Sequence, residues 1–173
     1  MRAQALPIAA NLGLRLGGSE LIASFFDEAL RFGAARLQVL APYVDDAAFG
    51  DEPFRKAWNR LLAATDATIV VRTPSAAEAV LRSSNGRHRR FDLRLNARLH
   101  AKVFVAHRPG WEIALAGSHN LTAAALHVND EVGILIRPAR IPELRALVRQ
   151  LRSFAESVAR HTARYRSARA CTP

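Results

Sequence analysis

The stretch from Arg98 to Thr122 gathers side chains that could act on a phosphate group. His100 and Lys102 lie two residues apart, and a Gly-Ser-His-Asn turn follows at residues 117–120. An imidazole can attack phosphorus or donate a proton, while an ammonium and an amide can hold the non-bridging oxygens. Lys102 is one of only two lysines in an arginine-rich chain. Its thin stem and compact charge suit a site that a histidine must also reach.

A β-hairpin is predicted to bring these side chains together. A period of two places His100 and Lys102 on one face of an extended strand, which then turns at residues 108–110. The antiparallel return carries Gly117, whose missing side chain permits close backbone approach, back beside the start of that strand. A third strand that begins near Glu131 could reach the same end of the sheet. The residues expected to meet there are His100, Lys102, Gly117, Ser118, Asn120, Asn129 and Glu131.

The order H-x-K, G-S-x-N and N-x-E resembles the signature of the phospholipase D superfamily. The sequence pattern LHAK…AGSHNLT…NDE, within Leu99 to Val132, is most similar to the nuclease and restriction-endonuclease branches of that superfamily. The earlier segment VLAPYVDD resembles the first core strand of the family and the loop after it. The resemblance implies phosphodiester hydrolysis without a metal ion or other cofactor.

The same resemblance implies a role for each matching residue. His100 would be the nucleophile that forms a phosphohistidine, or the general acid that protonates the leaving oxygen. Lys102 and Asn120 would bind phosphate oxygens, with Ser118 supporting them. Glu131 would accept a hydrogen bond from the other ring nitrogen of His100 and so fix its tautomer.

One position departs from the family pattern. The family normally has an aspartate five residues after the motif lysine, and His107 stands there in this chain. The stretch from His107 to Gly117 is also longer than usual by about three residues, which a larger hairpin turn could absorb. That aspartate is mainly structural in the family. A catalytically inactive module that binds nucleic acid or serves in assembly is therefore the alternative hypothesis.

The chain carries a single H-x-K motif, whereas the reaction needs two histidines, one to attack and one to protonate. We expect a symmetric homodimer whose two-fold axis brings two copies of His100 into one shared site. Pairing with a different chain that supplies the other half is the alternative.

The formal net charge of +10 predicts an anionic partner, and we favour nucleic acid, DNA over RNA. A coding bias towards arginine could explain the total, but it explains the local concentration before the motif less well. Within the basic run that precedes the motif, four arginines are predicted to contact the phosphate backbone without reading its sequence: Arg87, Arg89, Arg90 and Arg98. The whole run comprises Arg82, Arg87, His88, Arg89, Arg90, Arg94 and Arg98.

Alternating helix and strand patterns predict an α/β/α sandwich on a mixed sheet, with a hairpin in the second half. We expect one domain over residues 1–173, with an N-terminal extension at 1–16 and a flexible basic tail at 162–173. Helices are predicted from Leu21, with Gly33 near the end, and at residues 53–65, 75–84 and 141–161. Strands are predicted at residues 37–44, 67–73, 91–96, 102–106, 112–117 and 131–137.

Composition narrows the cellular setting. The single cysteine, Cys171, rules out a disulfide within the chain and fits a reducing compartment. The first residues contain no apolar run of the length that a signal peptide or membrane span needs. We therefore expect a soluble cytoplasmic protein with no membrane partner. Phospholipid hydrolysis is the weakest of the three functional hypotheses for the same reason.

Overall fold

The computed structural model describes residues 13–84, 91–137 and 141–166. The strands are β1 (Leu14–Gly17), β2 (Arg36–Leu40), β3 (Asp66–Val71), β4 (Phe91–Leu95), β5 (Val103–Arg108), β6 (Trp111–Gly117), β7 (Gly133–Ile136) and β8 (Ala163–Arg164). The α-helices are α1 (Glu20–Arg31), α2 (Glu52–Ala64), α3 (Pro74–Ser83), α4 (Ala123–His127) and α5 (Pro142–Arg160), and a 3₁₀-helix spans Asp46–Gly50.

The strands form one mixed sheet in the order β1-β7-β6-β5-β2-β3-β4-β8. Strands β2, β3 and β4 run parallel, and α2 and α3 make the connections between them. Strands β5 and β6 form the predicted hairpin, which turns at Gly110 with a positive φ of 78°. Glycine adopts that conformation without steric cost. The mixed sheet flanked by helices confirms the predicted fold class.

The two faces of the sheet are covered by different helices. Helices α1, α2 and α3 cover one face, and their apolar side chains form one cluster with alternate strand residues such as Val39 and Phe104. Helix α5 covers the other face, where Val148 packs with Val103 and Val105. Adjacent strand residues therefore enter opposite layers, as the pleat of a β-strand requires. Among the described residues, no helix combines the length and the hydrophobicity that crossing a membrane would take.

Aromatic packing fixes α1 and α2 against the sheet. Phe25 meets Phe104 of β5 edge to face at 5.9 Å, and Phe26 stacks on Phe54 at 5.3 Å between ring centroids. Trp58 on α2 has no exposed surface. This packing stabilises the layer on which β2, β3 and β5 rest.

Several predicted boundaries differ from those observed. The predicted extension at 1–16 overlaps β1, which pairs with β7, and the predicted tail at 162–173 overlaps β8, which pairs with β4. Both are short edge strands whose partners lie far away in sequence, so no local pattern marks them. His100 and Lys102 were expected on one face of the first hairpin strand, but that strand begins at Val103, so both residues precede it.

Candidate active site

The predicted catalytic residues, His100, Lys102, Ser118, Asn120 and Glu131, lie at one end of the sheet, which we call the site end. Strands β2, β3 and β6 finish there, and β5 and β7 begin there, because their pairings place Leu40 opposite Val103 and Gly117 opposite Gly133. Sheet register thus brings residues that are far apart in sequence to one surface. The alternation of strand directions was the physical basis of the predicted meeting point.

His100 is exposed at the site end, and its ring is held by Arg72. The Arg72 Nη1 atom lies 3.2 Å from His100 Nε2. The same guanidinium donates to the Tyr43 hydroxyl at 3.0 Å and to the Ala97 carbonyl at 3.2 Å. Because a guanidinium can only donate, His100 Nε2 accepts with its lone pair. Nε2, the ring nitrogen that would attack phosphorus, is therefore engaged by Arg72 in this structure.

Lys102 lies directly beside the histidine. Its Nζ atom donates to the carbonyl oxygen of His100 at 3.1 Å, and its own carbonyl accepts from the amide of Gly117 at 3.3 Å. The second contact ties the segment before β5 to the end of β6. A half-buried cation next to the imidazole can offer its remaining hydrogens to a phosphate oxygen.

Glu131 contacts Ser118, which differs from its expected role. The Ser118 hydroxyl donates to the Glu131 carboxylate and accepts from the Val132 amide at 3.0 Å. The Asn129 side-chain amide donates to the other carboxylate oxygen at 3.5 Å. The expected hydrogen bond from His100 to Glu131 is replaced by these contacts, because the pairing of β6 with β7 sets Ser118 against the residues before β7.

Asn120 joins the site end to the loop after β2. Its Oδ1 atom accepts from the backbone amide of Tyr43 at 3.4 Å. The adjacent backbone is fixed as well, since the Leu121 amide donates to the Tyr43 carbonyl at 3.1 Å. Accepting through Oδ1 leaves the amide hydrogens of Asn120 as donors that could hold a phosphate oxygen. The segment VLAPYVDD thus positions one of the predicted phosphate ligands.

Close packing beneath the site requires glycine at two positions. A Cβ atom on Gly117 would lie 2.3 Å from the Val132 carbonyl oxygen, and one on Gly133 would lie 2.3 Å from Cε1 of His119. His119 itself is 1% exposed, and its Nε2 atom lies 2.8 Å from the carbonyl oxygen of Gly18. His119 therefore supports the turn from below and does not face the surface.

Replacing Gly117 with alanine is expected to lower the free energy of unfolding by about 1–3 kcal/mol, because backbone must shift to admit the methyl group. The matched control is Gly50→Ala, since a Cβ at Gly50 meets nothing within 4 Å. Urea denaturation of both variants measures the effect. Equal stability of the Gly117 and Gly50 variants would contradict the packing described above.

The arginines of the predicted run differ in their surroundings in the structure. Arg94 is an internal structural residue, because it pairs with Asp92 at 2.6 Å and donates to the carbonyl of Thr162 at 2.7 Å. Arg82 is held by Asp46 at 2.8 Å, and this hydrogen bond lowers the pKa of the aspartate carboxyl. Arg98 is exposed beside the motif. The remaining predicted phosphate contacts, Arg87, Arg89 and Arg90, lie outside the described residues.

Sequence reasoning missed Arg72 and Tyr43. Arg72 directly follows β3, and Tyr43 is the third residue after β2. Because β2 and β3 are parallel neighbours, residues that follow them meet at one end of the sheet. The sequence signal that could have identified Arg72 was its position directly after the β-branched strand β3.

Arg72→Lys is expected to lower kcat about 10- to 100-fold if the site is catalytic, because lysine has no planar fork to join Tyr43, Ala97 and His100. The change keeps the positive charge, so an unchanged rate would show that charge alone suffices. Arg60→Lys, an exposed substitution on α2, is the control. Steady-state cleavage rates and melting temperatures of both variants separate a positioning effect from a loss of stability.

His107, which stands at the family aspartate position, lies at the far end of β5 from His100. Burial lowers the pKa of its imidazole, and the nearby positive charges of Arg152 and Arg36 lower it further. Its strand partners are Arg36 on β2 and Glu112 on β6. The departure from the family pattern therefore lies outside the site end. Among the described residues, no three His, Cys, Asp or Glu side chains cluster as metal ligands would.

No protein-family model matches the sequence, and no curated protein sequence matches it either. Solved structures do match the fold. A phospholipase D family member, Nuc from Salmonella typhimurium, is similar with a TM-score of 0.62 at 20% identity, over 89% of this chain and 98% of that protein. NucT from Helicobacter pylori is similar with a TM-score of 0.58 at 11% identity, over 94% of this chain and 96% of that one.

A third similar structure is that of TrmBL2, an archaeal chromatin protein with a novel mode of DNA binding. The TM-score is 0.56 at 12% identity, over 88% of this chain and 55% of that protein. At such identities the likeness is one of fold. It confirms, at the level of fold, the resemblance that the H-x-K and G-S-x-N motifs indicated.

Proposed function

We propose that this chain, which has the phospholipase D fold, is a metal-independent phosphodiesterase that hydrolyses DNA in a site shared by two copies of the chain. The observation that carries the proposal is the meeting of an exposed imidazole, a lysine, an amide and a serine–carboxylate pair at one end of the sheet. These residues are His100, Lys102, Asn120, Ser118 and Glu131.

The proposed reaction uses one copy of His100 as the nucleophile and the other copy as the general acid. Nε2 of His100 leaves Arg72 and attacks phosphorus, and the bond from phosphorus to the leaving oxygen breaks. The second His100, protonated on Nε2, gives its proton to that oxygen. Water then attacks the phosphohistidine while the second His100 takes a proton from it, which restores both rings. Lys102 and Asn120 hold the oxygens on which charge develops.

A homodimer supplies the second histidine, and the surface around the site supports this arrangement. Three apolar or aromatic side chains near the site end are exposed: Tyr43 by 41%, Val128 by 79% and Val132 by 67%. A second copy seated there would cover them and set the two rings face to face. A different chain carrying its own H-x-K motif would meet the same requirement.

The nucleic acid partner follows from charge and from the similar proteins. The net charge of +10 favours a polyanion, and exposed Arg98 stands beside the motif. TrmBL2 binds DNA, which agrees with DNA as the substrate.

Incubating the full chain with plasmid or single-stranded DNA in EDTA tests the proposal. Cleavage is expected at a rate unaffected by the chelator, and light scattering is expected to give the mass of a dimer. A rate that returns only when a divalent cation is added would overturn the metal-independent reaction.

The second candidate is a module of the same fold that binds nucleic acid without cutting it. The contact of Arg72 with His100 Nε2 favours this candidate, since it occupies the nucleophilic nitrogen. Salt-dependent DNA binding with no turnover under any condition would favour it over the hydrolase.

A further inference from the structure

A cavity lies at the opposite end of the sheet from the motif residues. Its volume is about 530 Å³, within the range of small-molecule sites. It opens between α5, the starts of β2 and β6 and the end of β5. We call it the arginine cleft, and it is lined by Ala35, Arg36, His107, Arg108, Pro109, Gly110, Trp111, Glu112, Arg145, Arg149 and Arg152.

The lining is strongly and unevenly charged. Five of its residues are arginines, from two layers of the fold, and one is a carboxylate. That carboxylate, Glu112, pairs with Arg152 at 3.2 Å and so offsets one of the five positive charges. Arg36 on β2 and Arg149 on α5 are both exposed, and both line the cleft. Positive charges gathered in a concave surface attract an anion more strongly than the same charges on a flat one.

Two ring nitrogens of the lining also lack partners. The buried atoms His107 Nε2 and Trp111 Nε1 make no hydrogen bond in the part of the chain that the structure describes. Buried polar atoms are usually satisfied, so two such atoms beside one cavity are unusual. Trp111 is nearly buried, and its ring stacks on Phe32 with 5.4 Å between ring centroids.

We propose that the arginine cleft binds a small phosphorylated molecule of nucleotide size through its phosphate groups. Guanidinium groups recognise phosphate through paired, charge-assisted hydrogen bonds, and they are preferred over lysine where that geometry matters. The volume of the cleft suits such a ligand. The proposal does not depend on the hydrolytic function, because Val103 to Arg108 alone separate the two ends of β5 by roughly 17 Å.

The protonation of the His107 imidazole is a second property that ligand binding should change. Its pKa is lowered by burial and by Arg152 and Arg36, while Glu156 on α5 acts in the opposite direction. Its cross-strand partner Glu112 is the other carboxylate nearby. A bound anion would favour the protonated ring, so binding near pH 6.5 should take up a proton.

Calorimetric titration of the full chain with ADP and with inorganic pyrophosphate tests the proposal. We expect both to bind, and adenosine, which has no phosphate, not to bind. The double variant Arg36→Glu/Arg149→Glu should weaken ADP binding at least 30-fold, and the milder Arg149→Gln should weaken it several-fold. Titration in two buffers of different ionisation enthalpy should reveal proton uptake that is lost in His107→Gln.

Two controls separate this cleft from the site end. Arg60→Glu, an exposed charge reversal on α2, should leave ADP binding unchanged, and so should His100→Ala. Absence of ADP and pyrophosphate binding at millimolar concentration would overturn the proposal. ADP binding that His100→Ala removes and the double variant retains would also overturn it. The same holds if a short oligonucleotide binds through Arg36 and Arg149 while ADP and pyrophosphate do not.

Discussion

Replacing His100 with alanine is expected to reduce DNA cleavage in EDTA by at least about 10³-fold. The alanine side chain can neither attack phosphorus nor protonate the leaving oxygen, so both proposed roles of the residue are lost together. Because the ring is exposed, its removal leaves no cavity in the core, and the melting temperature should change little. Cleavage rates with the chelator present, measured beside a thermal melt, are the relevant observations.

The control is His127→Ala, which removes another exposed histidine from a position on α4 outside the proposed site. Its cleavage rate should equal that of the unaltered chain. Residual activity that is the same in the His100 variant and the unaltered chain would mean that a contaminant or another residue does the chemistry. Retained DNA affinity in the His100 variant would show that binding and hydrolysis are separable.

The meeting of the motif residues at the site end could be predicted because it depends on one hairpin, whose strands are close in sequence. His100 and Lys102 are adjacent to one strand of a hairpin, and the hairpin itself returns Gly117 and Ser118 to the same end. The apolar runs of β5 and β6, with Gly110 at the turn between them, fix this return locally. Only the backbone directions had to be correct, and the fold confirms them.

The partners of the motif residues could not be predicted in the same way. Arg72 reaches His100 only because β3 lies two strands away from β5, with β2 between them. The side chain of Glu131 was expected to orient His100, yet Ser118 is its partner, since strand register and not residue type decides that choice. A one-residue difference in where β7 begins changes which side chains meet.

The arginine cleft illustrates a related limit. Arg145, Arg149 and Arg152 on α5 read in the sequence as part of an ordinary amphipathic helix with a charged outer face. Their significance depends on Arg36 and His107, which come from β2 and β5 on the adjacent layer. Helix periodicity reveals which face is polar, and it does not reveal what that face lies beside.

Mixing inactive with active chains is expected to lower the cleavage activity more steeply than the reduced fraction of active chain alone would. If one shared site needs His100 from both copies, equal amounts of unaltered chain and the His100→Ala variant should retain about one quarter of the activity of the same total amount of unaltered chain. Independent protomers would retain about one half. At a ninefold excess of the variant, the two expectations are about one hundredth and about one tenth. Chains are mixed under conditions that allow subunit exchange, and initial cleavage rates are measured in EDTA.

The matched control replaces the inactive partner with His127→Ala, which should form mixed dimers and leave the rate at its full value. Light scattering on each mixture establishes that dimers are present and that their number is unchanged. The quadratic loss has a direct physical cause, because a mixed dimer holds one nucleophile and no second ring to protonate the leaving oxygen. A linear loss in mixtures shown to be dimeric would contradict the shared site, and each protomer would then need a proton donor of its own.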